Sequence, residues 1–398
     1  MQKLLAILGI VTIASQLNSQ TIQFSISAGA HTRANTPVTV LLKKSIAANK
    51  QYEVIHSKTK RSSPVQFISP GAFVFVLADT IAANSSANYS LVVSSRKNLG
   101  IVRIEEQSNG LLVKSGEKPV LFYHTQTALP PADSPAYYQR SGFIHPVFSP
   151  NGEILTDDFP ASHAHQHALF AAWTNTTFKN TFVDFWNQHL QKGTVGHVEV
   201  LSKQQGPVFA RLQVLLRYRS IQFGEVLKEK WTITVFPYQD HFLFDIESEQ
   251  SNTSSDTLYI NQYHYGGMAF RGSKYWNPDD KKNFRNNWSL LTSEGIKDAS
   301  ANHTHARWVD ASGMLSEKIA GITIFNHPSN FRYPQTIRVH PSMPYWVYAP
   351  MVDGGFVIAP GKNYVSRYRY FVHNDKADTA AINRIEKDYS FPPEVFVR

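Results

Sequence analysis

Leu212-Gln213-Val214-Leu215-Leu216-Arg217-Tyr218 and Trp231-Thr232-Ile233-Thr234-Val235 decide the fold class. Leu212, Val214, Leu216 and Tyr218 alternate with Gln213 and Arg217, and Trp231, Ile233 and Val235 alternate with two threonines. A period of two marks half-buried antiparallel strands. Outward from these runs the same texture continues through 101–104, 111–114, 120–123, 198–201, 209–217, 226–236 and 241–247. It resumes at 258–263, 319–325, 345–348, 355–358 and 363–372. Helical spacing is scarce; 376–389 is the one stretch that suits a helix. The expected architecture is all-β, a large antiparallel β-sandwich over 98–398. Ahead of it, 21–97 reads as a small β module, with runs at 22–26, 38–42, 73–77 and 91–93 separated by Gly and Pro turns.

Of 398 residues, 42% are hydrophobic and 13% aromatic, enough for one large β domain with a small companion. Lys and Arg number 39 against 30 acids, a net charge of +9 that favours acidic ligands such as uronate or sulfated glycans. The charge is spread, with no basic run beyond 58–61, so nucleic acid is not an expected partner. Lys3, the apolar run 4–14 and the small polar stretch 15–20 read as a signal peptide over 1–20, and so predict a periplasmic or secreted protein. No other apolar run reaches spanning length, so no membrane span is expected. Cysteine is absent, which removes disulfides, thiolate metal sites and a cysteine nucleophile.

The densest chemistry lies between Tyr137 and Trp186. His163, His165 and His167 are spaced i, i+2, i+4 and on a strand would share one face. Imidazole serves as metal ligand and as acid or base near neutral pH. With Asp157, Asp158 or Asp184 these histidines would hold a divalent metal; alternatively they flank a sugar, beside Arg140, His145, Trp173 and Trp186. The bland alternative is a polar surface strand or loop in which the histidines only make hydrogen bonds. A second cluster, Tyr263-His264-Tyr265-Gly266-Gly267, precedes Arg271; its glycines allow close backbone approach. A third includes Arg307, Trp308, Asp310 and His327, although Asn326-His327-Pro328-Ser329-Asn330 is also strong turn chemistry. Arg367, Arg369 and His373 share parity near the end of the chain.

Taken together, several stretches resemble the bacterial PmoA-like family, a domain of unknown function. They are Arg140-Ser141-Gly142-Phe143-Ile144-His145-Pro146, Thr156-Asp157-Asp158-Phe159-Pro160, 163–167 followed by Leu169-Phe170, and Asp184-Phe185-Trp186. Arg307-Trp308-Val309-Asp310 and Phe325-Asn326-His327-Pro328 extend the pattern, which departs at Gln166 and Asn326, where His and Asp are expected. The resemblance implies a galactose-mutarotase-like supersandwich of glycan-degrading bacteria, and not methane oxidation, which belongs to a membrane protein. That fold hosts mutarotases, hydrolases and lyases, so it does not choose a reaction.

The leading expectation is an exported carbohydrate-active enzyme, a lyase or hydrolase acting on an oligosaccharide or polysaccharide. His165, His167 and His327 would carry acid–base chemistry, aided by Tyr265. Arg140, His145, Trp173, Asp184, Trp186, Arg271 and Arg307 would bind substrate. The alternatives are a glycan-binding protein without catalysis and a metal-dependent oxidoreductase with His163, His165 and His167 as ligands to a divalent metal.

Overall fold

The two alternating runs become the centre of long paired strands, Ala210–Ser220 and Gly224–Val235, in antiparallel register from Ala210 opposite Val235 to Ser220 opposite Gly224. Leu212, Val214, Leu216 and Tyr218 are buried and Arg217 is exposed, as the alternation requires. The computed structural model describes residues 21–47, 50–95, 100–286 and 288–398. The expected signal peptide and the boundary at 97/98 lie outside those residues.

These strands belong to an eight-stranded sheet in the order Gly193–Gln204, Ala210–Ser220, Gly224–Val235, Phe242–Asn252, Asn363–Asn374, Ile319–Asn326, Trp308–Met314, Ser289–Thr292. A second eight-stranded sheet runs Ile337–Val339, Tyr345–Tyr348, Gly267–Arg271, Leu169–Ala172, Ile144–Val147, Lys118–His124, Gly110–Ser115, Val102–Gln107. Every pairing recorded in both is antiparallel, and side chains of both fill one apolar core. Tyr348 of the second sheet stacks on Tyr368 of the first at 5.3 Å and donates its hydroxyl to the Ile324 carbonyl, which pins the two faces together. A four-stranded sheet, Thr181–Val183, Thr176–Phe178, Leu258–Ile260 and Phe356–Ile358, lies beside them. The expected all-β sandwich is therefore what the chain forms.

The N-terminal module is a seven-stranded sheet around its own core of Phe24, Ile26, Phe73, Phe75, Tyr89 and Leu91. Its edge strand is Glu394–Val397, which pairs with Ile22–Ser27, so the last strand of the chain completes the first module. The α-helix among the described residues, Thr379–Ser390, starts where the Asp378 carboxylate accepts from the amides of Ala380 and Ala381. Its Ile382 packs in one cluster with Val74 of the module and Phe209, Phe236 and Trp308 of the sandwich. No helix among the described residues is long and apolar enough to cross a membrane.

Two expectations about local structure change. Residues 163–167 are successive turns rather than a strand, and only His167 makes a bridge, to Asp158. Leu169–Ala172, Gly267–Arg271 and Ile337–Val339 are strands that alternation does not reveal, because the first two are buried on both faces and the third has only three residues. These three position the site.

Candidate functional site

In the second sheet Arg271 lies opposite Tyr345 and Arg338 opposite Val347. Alternation puts Phe170, Arg271, Tyr345 and Arg338 on one face, while Leu169, Phe270, Trp346 and Tyr348 take the other, which meets the opposite sheet. The first face is covered by three loops. The 163–166 turn leads into Leu169–Ala172, the Trp186-Asn187 loop follows Thr181–Val183, and His264-Tyr265 precedes Gly267–Arg271. Gly266 and Gly267 have φ of +138° and +114°, and a Cβ on Gly267 would collide with the Tyr348 carbonyl. The glycine pair thus admits the close strand approach expected of it and turns Tyr265 over the sheet.

Between loops and sheet is a cavity of about 170 Å³. His163, His165 and Gln166 line it from the first loop, and Trp186 and Asn187 from the second. His264 and Tyr265 come from the third, and Arg338, His340 and Tyr345 from the sheet edge. The His163 ring lies 5.6 Å from those of both His165 and His340, and His189 is 6.0 Å from His165. Trp186 meets Tyr265 at 5.4 Å and Phe170 at 4.5 Å.

Hydrogen bonds fix these groups. The buried Asp184 accepts from the amides of Trp186 (2.8 Å) and Asn187 (2.7 Å) and from the Asn187 side chain (2.8 Å). Asn187 in turn accepts the Tyr265 hydroxyl at 2.9 Å. Ser162 donates its single hydroxyl proton to Asp279 at 2.7 Å, so its 2.9 Å contact with His163 Nδ1 is one in which the imidazole N–H donates. That tautomer leaves Nε2 of His163 as the free acceptor. Arg271 is fully buried, gives one N–H to Gln166 at 3.1 Å, and has Nε and Nη2 without partners. Neither Arg271 nor Arg338 has an ion pair among the described residues; Arg338 donates to the Asn302 side chain and its neighbour's carbonyl.

Electrostatics keep the imidazoles neutral. Burial, then the neighbouring His163, His167, His189 and Arg271, pushes His165 down to about 3. Burial and the charges of His163, Arg338 and Arg271 bring His340 to about 4. His163 and His264 are also lowered, chiefly by burial. Burial raises Tyr265 to about 12, and lowers Arg271 to about 10 against the pull of Asp157 and Asp279. Asp157, whose amide donates to the Arg271 carbonyl, is pushed up to about 7 by burial.

The structure brings together His163, His165, Tyr265, Trp186 and, beneath them, Arg271 and Asp184. It takes the other expected residues elsewhere. His167 is fully buried, held by Asp158 at 2.7 Å and Gln188 at 2.9 Å, and knots the loop to the sheet. His145 is tied to Thr156 at 3.0 Å and lowered to about 4 by burial. Arg140 spans the back of Phe170 and donates to the Ala171 carbonyl, and Trp173 gives its indole N–H to Gln250 in the core. His327 caps its own turn through Ser329 and meets Tyr389 of the C-terminal helix; Arg307 reaches the exposed Glu294 and the buried Glu386. Neither lines the cavity. His163, His165 and His167 do not converge, and no group of three metal-ligating side chains is found among the described residues. Sequence reading missed Arg338, His340, Tyr345 and the Ser162–Asp279 pair; only strand pairing makes the first three neighbours of residues some 170 positions earlier.

No curated protein matches the chain in sequence. Among solved structures, an alpha-mannosidase from Enterococcus faecalis V583 aligns at 11% identity and TM-score 0.46, covering 95% of this chain and 46% of that one. A GH36 alpha-galactosidase, AgaA, from Geobacillus stearothermophilus gives 10% identity and TM-score 0.29, over 69% of this chain and 41% of that one. A galactose mutarotase related enzyme from Lactobacillus acidophilus gives 10% and 0.29, over 70% and 98%. The chain spans about half the length of the mannosidase it aligns with. All these scores are below 0.5. The PmoA-like resemblance is corrected by the family comparison: residues 110–386 match the model described as Family of unknown function (DUF6807), and nothing links the chain to a PmoA-like family. Since that match covers well over half of its length, the chain belongs to the DUF6807 family.

Proposed function

We propose that the histidine cavity is the active site of an exported carbohydrate-active enzyme, a lyase that opens an acidic sugar chain by β-elimination. The observation that carries this reading is the composition of the cavity wall: neutral imidazoles, two tyrosines, an indole and a guanidinium, with no carboxylate among the lining residues. Hydrolysis by the usual route needs two carboxylates across the scissile bond. Elimination needs a cation against the sugar carboxylate, a base for the adjacent C–H, and an acid for the leaving oxygen.

Arg338 supplies the cation, and Arg271 below Gln166 adds positive potential. His163 is the base: its Nδ1–H is oriented through Ser162 to Asp279, and its lowered affinity keeps it unprotonated. His165, held near 3, is too weak a base for that step and serves sugar hydroxyls instead. The C–H bond beside the carboxylate breaks as its proton passes to His163 Nε2. Its electron pair forms the new carbon–carbon double bond, the glycosidic C–O bond breaks, and the leaving oxygen takes the Tyr265 proton. Export rests on Lys3 and the apolar run 4–14.

The test is incubation with polygalacturonate, alginate, hyaluronan and neutral oligosaccharides. Ultraviolet absorbance of an unsaturated uronate is expected on an acidic substrate. Reducing ends without absorbance would make the protein a hydrolase, and silence on every substrate would remove the enzymatic reading. N-terminal sequencing of the protein recovered from its native compartment checks the export.

A further inference from the structure

We propose that the outward face of the four-stranded sheet is a second glycan-binding surface, which holds a polysaccharide chain leading to the histidine cavity. This rests on reading the cavity as a sugar site. In that sheet Phe182 pairs with Thr177, Thr177 with Tyr259, and Tyr259 with Val357, so the four form one row across all four strands. Their strand neighbours Val183, Thr176, Ile260 and Ile358 point inward and are buried. Phe182, Tyr259 and Val357 are instead 44%, 50% and 52% exposed. Single exposed apolar side chains are ordinary, but a row in register across a sheet is not.

The row has the chemistry of a sugar platform. Phe182 and Tyr259 sit two strands apart, about 10 Å at the usual interstrand spacing, which suits two rings of a linear glycan. Between them is the Thr177 hydroxyl, which accepts from the Asn261 amide at 3.0 Å, and Lys179 lies at the rim paired with Asp256. Aromatic faces among amides and hydroxyls stack on the C–H faces of sugars while the polar groups meet their hydroxyls. Four side chains are far short of the ~800 Å² per partner of a stable protein interface, which argues against a protein occupant.

The row is also close to the cavity along the chain. Phe182 precedes Trp186 by four residues and Tyr259 precedes His264 by five, so extended chain places them at most about 14 and 18 Å apart. A polymer in the cavity thus reaches the row within a few sugar units.

The test is native affinity electrophoresis of the full chain in gels containing polygalacturonate, alginate, hyaluronan or xylan. At least one polymer is expected to retard the protein. The double substitution Phe182→Ala, Tyr259→Ala should weaken that retardation at least tenfold, while Tyr259→Trp preserves it. Both variants should melt like the parent protein, because the changed side chains are on the surface. Turnover or binding of a short oligosaccharide should be unchanged by either. Retardation of the double variant equal to the parent's, or no retardation by any polymer, overturns the proposal. So does self-association of the parent that the double variant loses, which would make the row an interface between copies. A cavity variant that loses turnover but is still retarded leaves this surface standing, whereas intact turnover with no retardation leaves only the cavity.

Discussion

Two cavities of this molecule are walled by arginine and histidine, and they differ in whether their buried arginines are paired. One, of about 240 Å³, lies where the N-terminal module and the helix Thr379–Ser390 meet the sandwich. There Arg369 holds Asp245 in a bidentate pair at 2.7 and 2.9 Å, and Asp388 binds Arg33 at 2.8 Å. His241 contacts Asp240 at 2.8 Å. In the histidine cavity Arg338 has no carboxylate partner among the described residues, and the buried Arg271 beneath it keeps two nitrogens, Nε and Nη2, unsatisfied there. A buried charge with its counterion holds a fold together; a buried charge without one costs free energy that a bound anion offsets. The larger cavity is therefore a joint, and the contrast supports the proposed reading of the smaller one as a binding site.

The sharpest way to break this contrast is to unpair the joint. Arg33 and its partner are each only 3–4% exposed at the side chain, so Asp388→Ala leaves an uncompensated buried guanidinium. A loss of about 3–5 kcal/mol in unfolding free energy is expected, read by denaturant titration, with turnover per folded molecule unchanged. A stability change under 1 kcal/mol would show that pairing does not distinguish the two cavities.

On the loop that lines the cavity, His163 and His167 are four residues apart and should respond oppositely. His163→Ala removes the proposed base and should cut turnover by about 10²-fold or more, with little change in melting temperature. His167→Ala strips Asp158 and Gln188 of their partner inside the fold and should cost about 2 kcal/mol of stability. Equal effects on both readouts in both variants would mean that the loop is one structural unit. A milder expectation concerns the clamp: Arg338→Ala should raise KM about tenfold on an acidic substrate and leave a neutral analogue untouched.

The same pair marks how far the sequence could be read. Alternation at 212–218 and 231–235 exposes the sandwich because those strands have one wet face and one dry face. Leu169–Ala172 and Gly267–Arg271 are dry on both, so nothing periodic announces them. The i, i+2, i+4 histidines mark a loop that lines the cavity, but it is a run of turns and not a strand face. The chain turns at Ser162 and at Ala168, both with positive φ, and sends His167 inward. Gln166, one of the two departures from the resemblance, turns out to hold Arg271; Asn326, the other, is buried against Gln335. His340 and Arg338 reach the site only through the pairing of Ile337–Val339 with Tyr345–Tyr348.

The last expectation is one of pH on stability, and its sign separates the neutral imidazoles from the acid beside them. His165 sits near 3 and His145 and His340 near 4, against an ordinary 6.5. As pH falls through 6.5 the unfolded chain takes up protons that the folded chain refuses until about 4. The stability these three contribute is complete above about 6.5 and declines as pH falls from there towards 4. Asp157 acts in the opposite sense: raised from 3.8 to about 7, it favours the folded state at low pH and loses that advantage as pH rises through 7. Three imidazoles against one carboxyl give a net loss of stability on acidification, read as a falling denaturation midpoint between about pH 6.5 and 4. His165→Asn should flatten that slope and Asp157→Asn should steepen it. A slope that neither substitution changes would locate the acid sensitivity outside the cavity, and the imidazoles would then lose their claim to be held neutral by the fold.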